Sequence, residues 1–210
     1  MLPTREITVY IDYKSPYAYL AVGPTYSLTN EYNVRLNWLP YILDIPQYLG
    51  STEARNDHQW RRVRYSYMDA RRQANRRGLI VRGPQKIFDS SLAAIGMLFA
   101  KRQDLFDTYN AITFERFWKR ELDIENRDAI RGVLDEAGAD TTGFLDYVEG
   151  EGRRELDRVI DEAHRLGVFG VPMYVLDGEL FWGGDSLPLL RERLHQTAVP
   201  AVGAATKHAR

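Results

Sequence analysis

The chain has 210 residues, 44% of them apolar and 12% aromatic, which is enough to bury one substantial core and excludes a chain dominated by disorder. Lysine and arginine number 28 against 29 aspartates and glutamates, a balance that gives no overall pull toward nucleic acid or a membrane surface. Cysteine is absent, which excludes disulfides, thiolate nucleophiles, C-x-x-C redox chemistry and cysteine metal sites, so any thiol chemistry needs a thiol from outside the polypeptide.

In chain order, MLPTREITVYIDY has neither the basic start nor the apolar run of a signal peptide, and no apolar stretch approaches the roughly 20 residues that span a bilayer. A soluble cytoplasmic protein without a membrane partner is expected. Glu6 to Tyr13 is rich in β-branched and aromatic types and reads as a buried strand, with Asp12 a polar intruder. Ser15-Pro16 then offers an N-cap followed by proline at the first helical position, and a helix can run on to about Tyr32. Gly23-Pro24 predicts a kink or break in it. Val34 to Pro40 reads as a second strand.

From about Ile42 to Gly150 the signal is mostly helical, with segments at Asp57–Gly78, Ser90–Arg102, Asp104–Arg120, Arg127–Ala137 and a short piece around Phe144. Charge is uneven here: Arg61 to Arg82 holds eight arginines and one acid, Asp69, whereas Asp135 to Glu162 holds ten acids and three arginines. The arginine run lacks a nucleic-acid-binding motif and reads as a solvated helix face with one or two side chains turned toward a site. Glu151 to Leu166 is a further helix with Gly167 as its C-cap. MYVLDGELFW follows as two strands around an Asp177-Gly178 turn, and a last helix runs from about Asp185 to His195. The remainder, 197–210, reads as a flexible tail. Periodicity alone gives a generic α/β domain, but strand-helix-strand at one end and hairpin-helix at the other match the layout of a thioredoxin-like fold with a helical insertion: 1–42 and 151–196 would form the discontinuous thioredoxin-like domain, and 43–150 an inserted all-helical subdomain.

Two places carry candidate chemistry. Ser15 should stand where a strand ends and a helix begins, beside free N–H groups and the positive end of the helix dipole. It is either a simple N-cap or the hydroxyl of an anion site. Gly167-Val-Phe-Gly-Val-Pro172 offers a turn that could face it, with Pro172 either an ordinary edge-strand proline or a cis proline that exposes the Val171 backbone to an extended ligand. Tyr17, Tyr19, Trp38, Phe181 and Trp182 could line a cleft, although core packing is the default for such residues, and for Phe114, Phe117 and Trp118. Histidines 58, 164, 195 and 208 show no metal-ligand spacing.

YIDYKSPYAYLA resembles the start of 2-hydroxychromene-2-carboxylate isomerases and kappa-class glutathione transferases, in which a serine opens the first helix. AHRLGVFGVPMYVLDGELFWGGDSLPLLRERL resembles their C-terminal segment, and Asn56, Arg62, Tyr65 and Asp69 keep roughly the family's spacing of an asparagine, a lysine, an aromatic and an aspartate. The resemblance spans most of 6–195 and implies a glutathione cofactor whose sulfur lies near the Ser15 hydroxyl. It further implies that Val171, before Pro172, pairs with the cysteinyl backbone, and that Asp185, Ser186 and the start of their helix hold the γ-glutamyl end. Asn56 and Arg62 would reach in toward a glutathione or substrate carboxylate. Gly184 stands where many relatives have Asn or Ser, Ser186 where many have Arg, and Arg62 replaces the usual lysine. The function implied is a glutathione-dependent isomerase of an unsaturated aromatic or α-keto carboxylate, with a kappa-like glutathione transferase or a non-catalytic binding module as alternatives. The partners expected are a small aromatic carboxylate and, as in such families, a second copy in a homodimer.

Overall fold

The computed structural model describes residues 4–50 and 53–196, so the tail expected at 197–210 lies outside the described residues. Strand β1 (Arg5–Ile11) leads into helix α1 (Pro16–Glu31) and returns as β2 (Val34–Pro40), paired parallel to β1 with Val9 opposite Trp38. A parallel pair needs such a crossover. β3 (Met173–Leu176) lies antiparallel on the other side of β1, and β4 (Glu179–Trp182) is antiparallel to β3, giving the order β2-β1-β3-β4 in a mixed sheet. β1 is central and buried continuously from Val9 to Ile11, as its apolar run predicts for a strand covered on both faces. The hairpin turns on Asp177 (φ 52°) and Gly178 (φ 81°), two consecutive positive-φ residues of the kind that match strand twist.

Between β2 and the next strand every element among the described residues is helical: α2 (Ile45–Leu49), α3 (Asp57–Arg76), α4 (Ser91–Lys101), α5 (Phe106–Lys119), α6 (Arg127–Glu136), α7 (Phe144–Glu149) and α8 (Glu151–Arg165). Short α2 was not expected from the sequence; its signal is the Asp44 N-cap, whose Oδ1 accepts the Gln47 N–H at 2.9 Å, followed by Pro46. The sheet and the helical unit share one contiguous apolar core. Phe114 of α5 stacks on Tyr19 of α1 at 5.3 Å and meets Tyr13 edge-on at 4.8 Å, directly behind the start of α1.

Two expectations are corrected. α1 does not break at Gly23-Pro24. Pro24 has no N–H for the Leu20 carbonyl, and Arg77 Nη1 donates to that carbonyl instead, so the bond lost to proline is replaced from another helix. The last helix does not open at Asp185: Gly184–Ser186 is a single 3₁₀ turn, and α9 runs Leu187–His195. Pro188 cannot donate back into a longer α-helix, and the turn closes on Gly183 O, which accepts from Ser186 N (3.2 Å) and Ser186 Oγ (2.7 Å).

Candidate active site

Ser15 is 4% exposed and is the N-cap of α1. Its Oγ accepts the Ala18 N–H at 3.2 Å and its own N–H donates to Asp12 O at 2.9 Å, fixing the strand-to-helix turn. Capping uses a lone pair of the hydroxyl and leaves its proton to donate elsewhere. The cap reading and the anion-site reading are therefore compatible.

Beneath this turn lies a buried ion pair. Asp12 Oδ2 is 3.4 Å from Lys14 Nζ, and the carboxylate also accepts from Leu43 N (2.8 Å) and Lys14 N (3.1 Å). Burial pushes the Asp12 carboxyl above its ordinary value, and the Lys14 charge and the two N–H donors offset this only in part. Its bond to Leu43 ties the segment after β2 to the end of β1, which places Leu43 and Ile45 in the wall of the cavity described next.

A cavity of ≈ 630 Å³ opens over Ser15, within the roughly 300–1,000 Å³ usual for small-molecule sites. Its lining combines Val171, Pro172 and the Gly183–Asp185 turn with Arg62, Ser66, Asp69 and Gln73 of α3. The Val171-Pro172 bond is cis, as one of the two readings of the sequence has it. Gly183 takes φ 86°, a conformation that favours glycine, and a Cβ there would sit 2.4 Å from Asp185 Oδ1, so a larger residue would be strained and would push the carboxylate aside.

The remaining expected residues separate by place. Asn56 is the N-cap of α3, in a capping box with Gln59 (Asn56 Oδ1 to Gln59 N, 2.9 Å), and is not among the cavity lining. Ser186 is spent on the Gly183 carbonyl and supports the turn that carries Asp185. Of the aromatic candidates, Tyr17 and Trp182 line the cavity, whereas Tyr19, Trp38 and Phe181 are core. Tyr65 is 59% exposed, and its place in the wall is taken by Tyr67, whose phenol burial pushes up to about 12.

Of the lining residues, Ser66, Gln73 and Phe169 are not singled out by the sequence, and Tyr17 and Asp69 gain a specific arrangement. Tyr17 Oη donates to Asp69 Oδ2 (3.1 Å) and Ser66 O (3.3 Å), and Gln73 Nε2 donates to the same Asp69 oxygen (2.8 Å). Burial, with the Asp69 carboxylate adding to it, raises the Tyr17 phenol and keeps it a neutral donor. Phe169, 56% exposed, meets the half-exposed Trp182 edge-on at 4.9 Å at the cavity mouth. Arg77, from the C-cap of α3, also lines the cavity.

A cysteine-free thioredoxin fold with a serine at the helix start and a cis proline opposite defines the class. The chain belongs to the DSBA-like thioredoxin domain family, whose model matches residues 6–195. Among curated proteins it is similar to the 2-hydroxychromene-2-carboxylate isomerase of Sphingobium xenophagum, 26% identical over 195 residues (91% of this chain, 98% of the relative). It is likewise similar to the protein of that name in Pseudomonas putida, 24% identical over 194 residues (90% and 93%). Its fold matches a solved 2-hydroxychromene-2-carboxylate isomerase with a TM-score of 0.74 at 21% identity, over 90% of this chain and 94% of the other. It also matches the oxidoreductase DsbA of Xylella fastidiosa with a TM-score of 0.60 at 13% identity, over 91% and 84%. Among the described residues no helix is long and apolar enough to cross a membrane.

Proposed function

We propose that this protein is a glutathione-dependent isomerase acting on an unsaturated aromatic or α-keto carboxylate such as 2-hydroxychromene-2-carboxylate. One observation carries the reading: in a chain without cysteine, a buried serine hydroxyl stands at a helix N-terminus in a cavity that Val171, cis-Pro172 and the Asp185 turn also line. These residues fit a thiol tripeptide. The Ser15 hydroxyl can donate to a sulfur anion, and the α1 N-terminus adds partial positive charge, so both favour a thiolate over a thiol of pKa about 8.5. The Val171 backbone offers an edge to an extended peptide, Asp185 a carboxylate for the γ-glutamyl ammonium, and Arg62 a guanidinium for a carboxylate.

When bound, glutathione would supply the nucleophile that adds to an activated double bond and leaves it again, so that rotation is possible in between. The chain does the rest. Ser15 holds the anion, the Tyr17 phenol, its proton engaged by Asp69, can accept from a substrate hydroxyl, and Phe169 with Trp182 gives a planar ring an aromatic face. The names of the relatives support the substrate class.

The test is conversion of 2-hydroxychromene-2-carboxylate by the purified protein at increasing glutathione. The expected result is a rate that rises to saturation with glutathione, all of which is recovered at the end. Consumption of one glutathione per product would point to a transferase on the same site, and a rate indifferent to glutathione would overturn the reading.

A further inference from the structure

We infer that Arg77 is the carboxylate anchor of an α-amino-acid subsite, pairing with Asp185 across one end of the cavity. The subsite takes the zwitterionic head of a γ-glutamyl peptide, and the inference rests on the glutathione reading above. It begins with Pro24. Because proline cannot donate to Leu20 O, that carbonyl receives Arg77 Nη1, and the guanidinium is held against the second turn of α1. The same turn abuts the Asp185 segment: a Cβ placed on Gly184 would sit 3.7 Å from the Ala21 Cβ. Arg77, Pro24, Ala21, Gly184 and Asp185 all line the one cavity.

A guanidinium and a carboxylate thus both line the cavity beside the second turn of α1. An α-amino acid presents the complementary pair, a carboxylate beside an ammonium, and arginine's planar fork keeps donors for that carboxylate while one N–H serves Leu20. Two other cations line the cavity but do not take this role. Lys14 is 3.4 Å from the buried Asp12. Arg62 precedes Arg77 by fifteen residues, about 22 Å along a helix at 1.5 Å per residue, too far to serve the same group. Glutathione carries a carboxylate at each end, and α3 and its C-cap contribute two guanidinium groups, Arg62 and Arg77, to the cavity lining.

Calorimetric titration of the full chain tests the assignment with two ligands: glutathione, and γ-aminobutyryl-cysteinyl-glycine, which differs only in lacking the α-carboxylate. Arg77→Gln removes the charge but keeps an amide donor for Leu20 O, and Arg77→Lys keeps the charge. Wild type should prefer glutathione by about ten- to a hundredfold, as expected for one charge-assisted contact. Arg77→Gln should abolish the preference by weakening glutathione alone, and Arg77→Lys should retain most of it, with melting temperatures showing that each variant is folded. Equal affinity of wild type for both ligands, or equal weakening of both in Arg77→Gln, would overturn the anchor while leaving glutathione binding intact. Failure of wild type to bind glutathione at all would overturn the underlying reading as well.

Discussion

At the scale of single residues, Asp12 and Lys14 put an ion pair beneath the turn that presents Ser15. The folded carboxyl of Asp12 is raised by burial, so the stability associated with its protonated form is fully present below the unfolded value of 3.8 and is lost as pH rises through the higher folded value. Asp12→Asn carries no such titration. As pH falls from neutral toward 3.8, wild type should therefore gain stability relative to Asp12→Asn in chemical denaturation, and a gap that stays constant or narrows would show that burial does not dominate this carboxyl. The sequence marked both residues unequally. Ser15 was legible because capping is local, a serine followed by proline, whereas Asp12 reads only as a polar residue in an apolar strand until its partners Lys14 and Leu43 are seen.

Among elements, most boundaries followed local rules: the strands from β-branched runs, the hairpin from Asp177-Gly178, and the end of α8 from Gly167. The misreadings have tertiary causes. Gly23-Pro24 predicts a kink or break; the break does not occur, and α1 continues because a residue more than fifty positions away supplies the missing donor, which no local pattern carries. The relation is measurable. Arg77→Ala leaves the carbonyl of buried Leu20 without its partner and should cost about 1–3 kcal/mol. Pro24→Ala restores a helical N–H at that position, so in the Pro24→Ala background the same Arg77→Ala change should cost much less, a coupling of about 1–2 kcal/mol in a double-mutant cycle by denaturation. Additive costs would mean that the two residues act independently.

For the molecule as a whole, the ends of the chain identify the family and the middle completes the cavity. The motifs around Ser15 and Pro172 are specific because a helix start and a cis-proline turn constrain residue types closely. The wall from α3 is legible only in part: one or two arginines of the run are expected to face a site and Asp69 keeps the family's spacing, whereas Ser66 and Gln73 go unmarked because a polar helix face reads the same whether it meets solvent or a ligand. That wall joins the sheet through one core, which lets residues from the first strand-helix turn, the cis-proline loop and the helical unit face one ligand. The central claim is that this arrangement holds a glutathione sulfur as thiolate at Ser15. Titration of the ultraviolet thiolate absorbance of bound glutathione, in wild type and Ser15→Ala, tests it most directly. A donor lost from an anion costs about 1.5–3 kcal/mol, so Ser15→Ala should raise the bound thiol pKa by roughly one to two units. Loss of the cap should lower stability by only about 1 kcal/mol. A bound thiol pKa equal to that of free glutathione in wild type, or unchanged by Ser15→Ala while only the melting temperature falls, would reduce Ser15 to a helix cap and contradict the account.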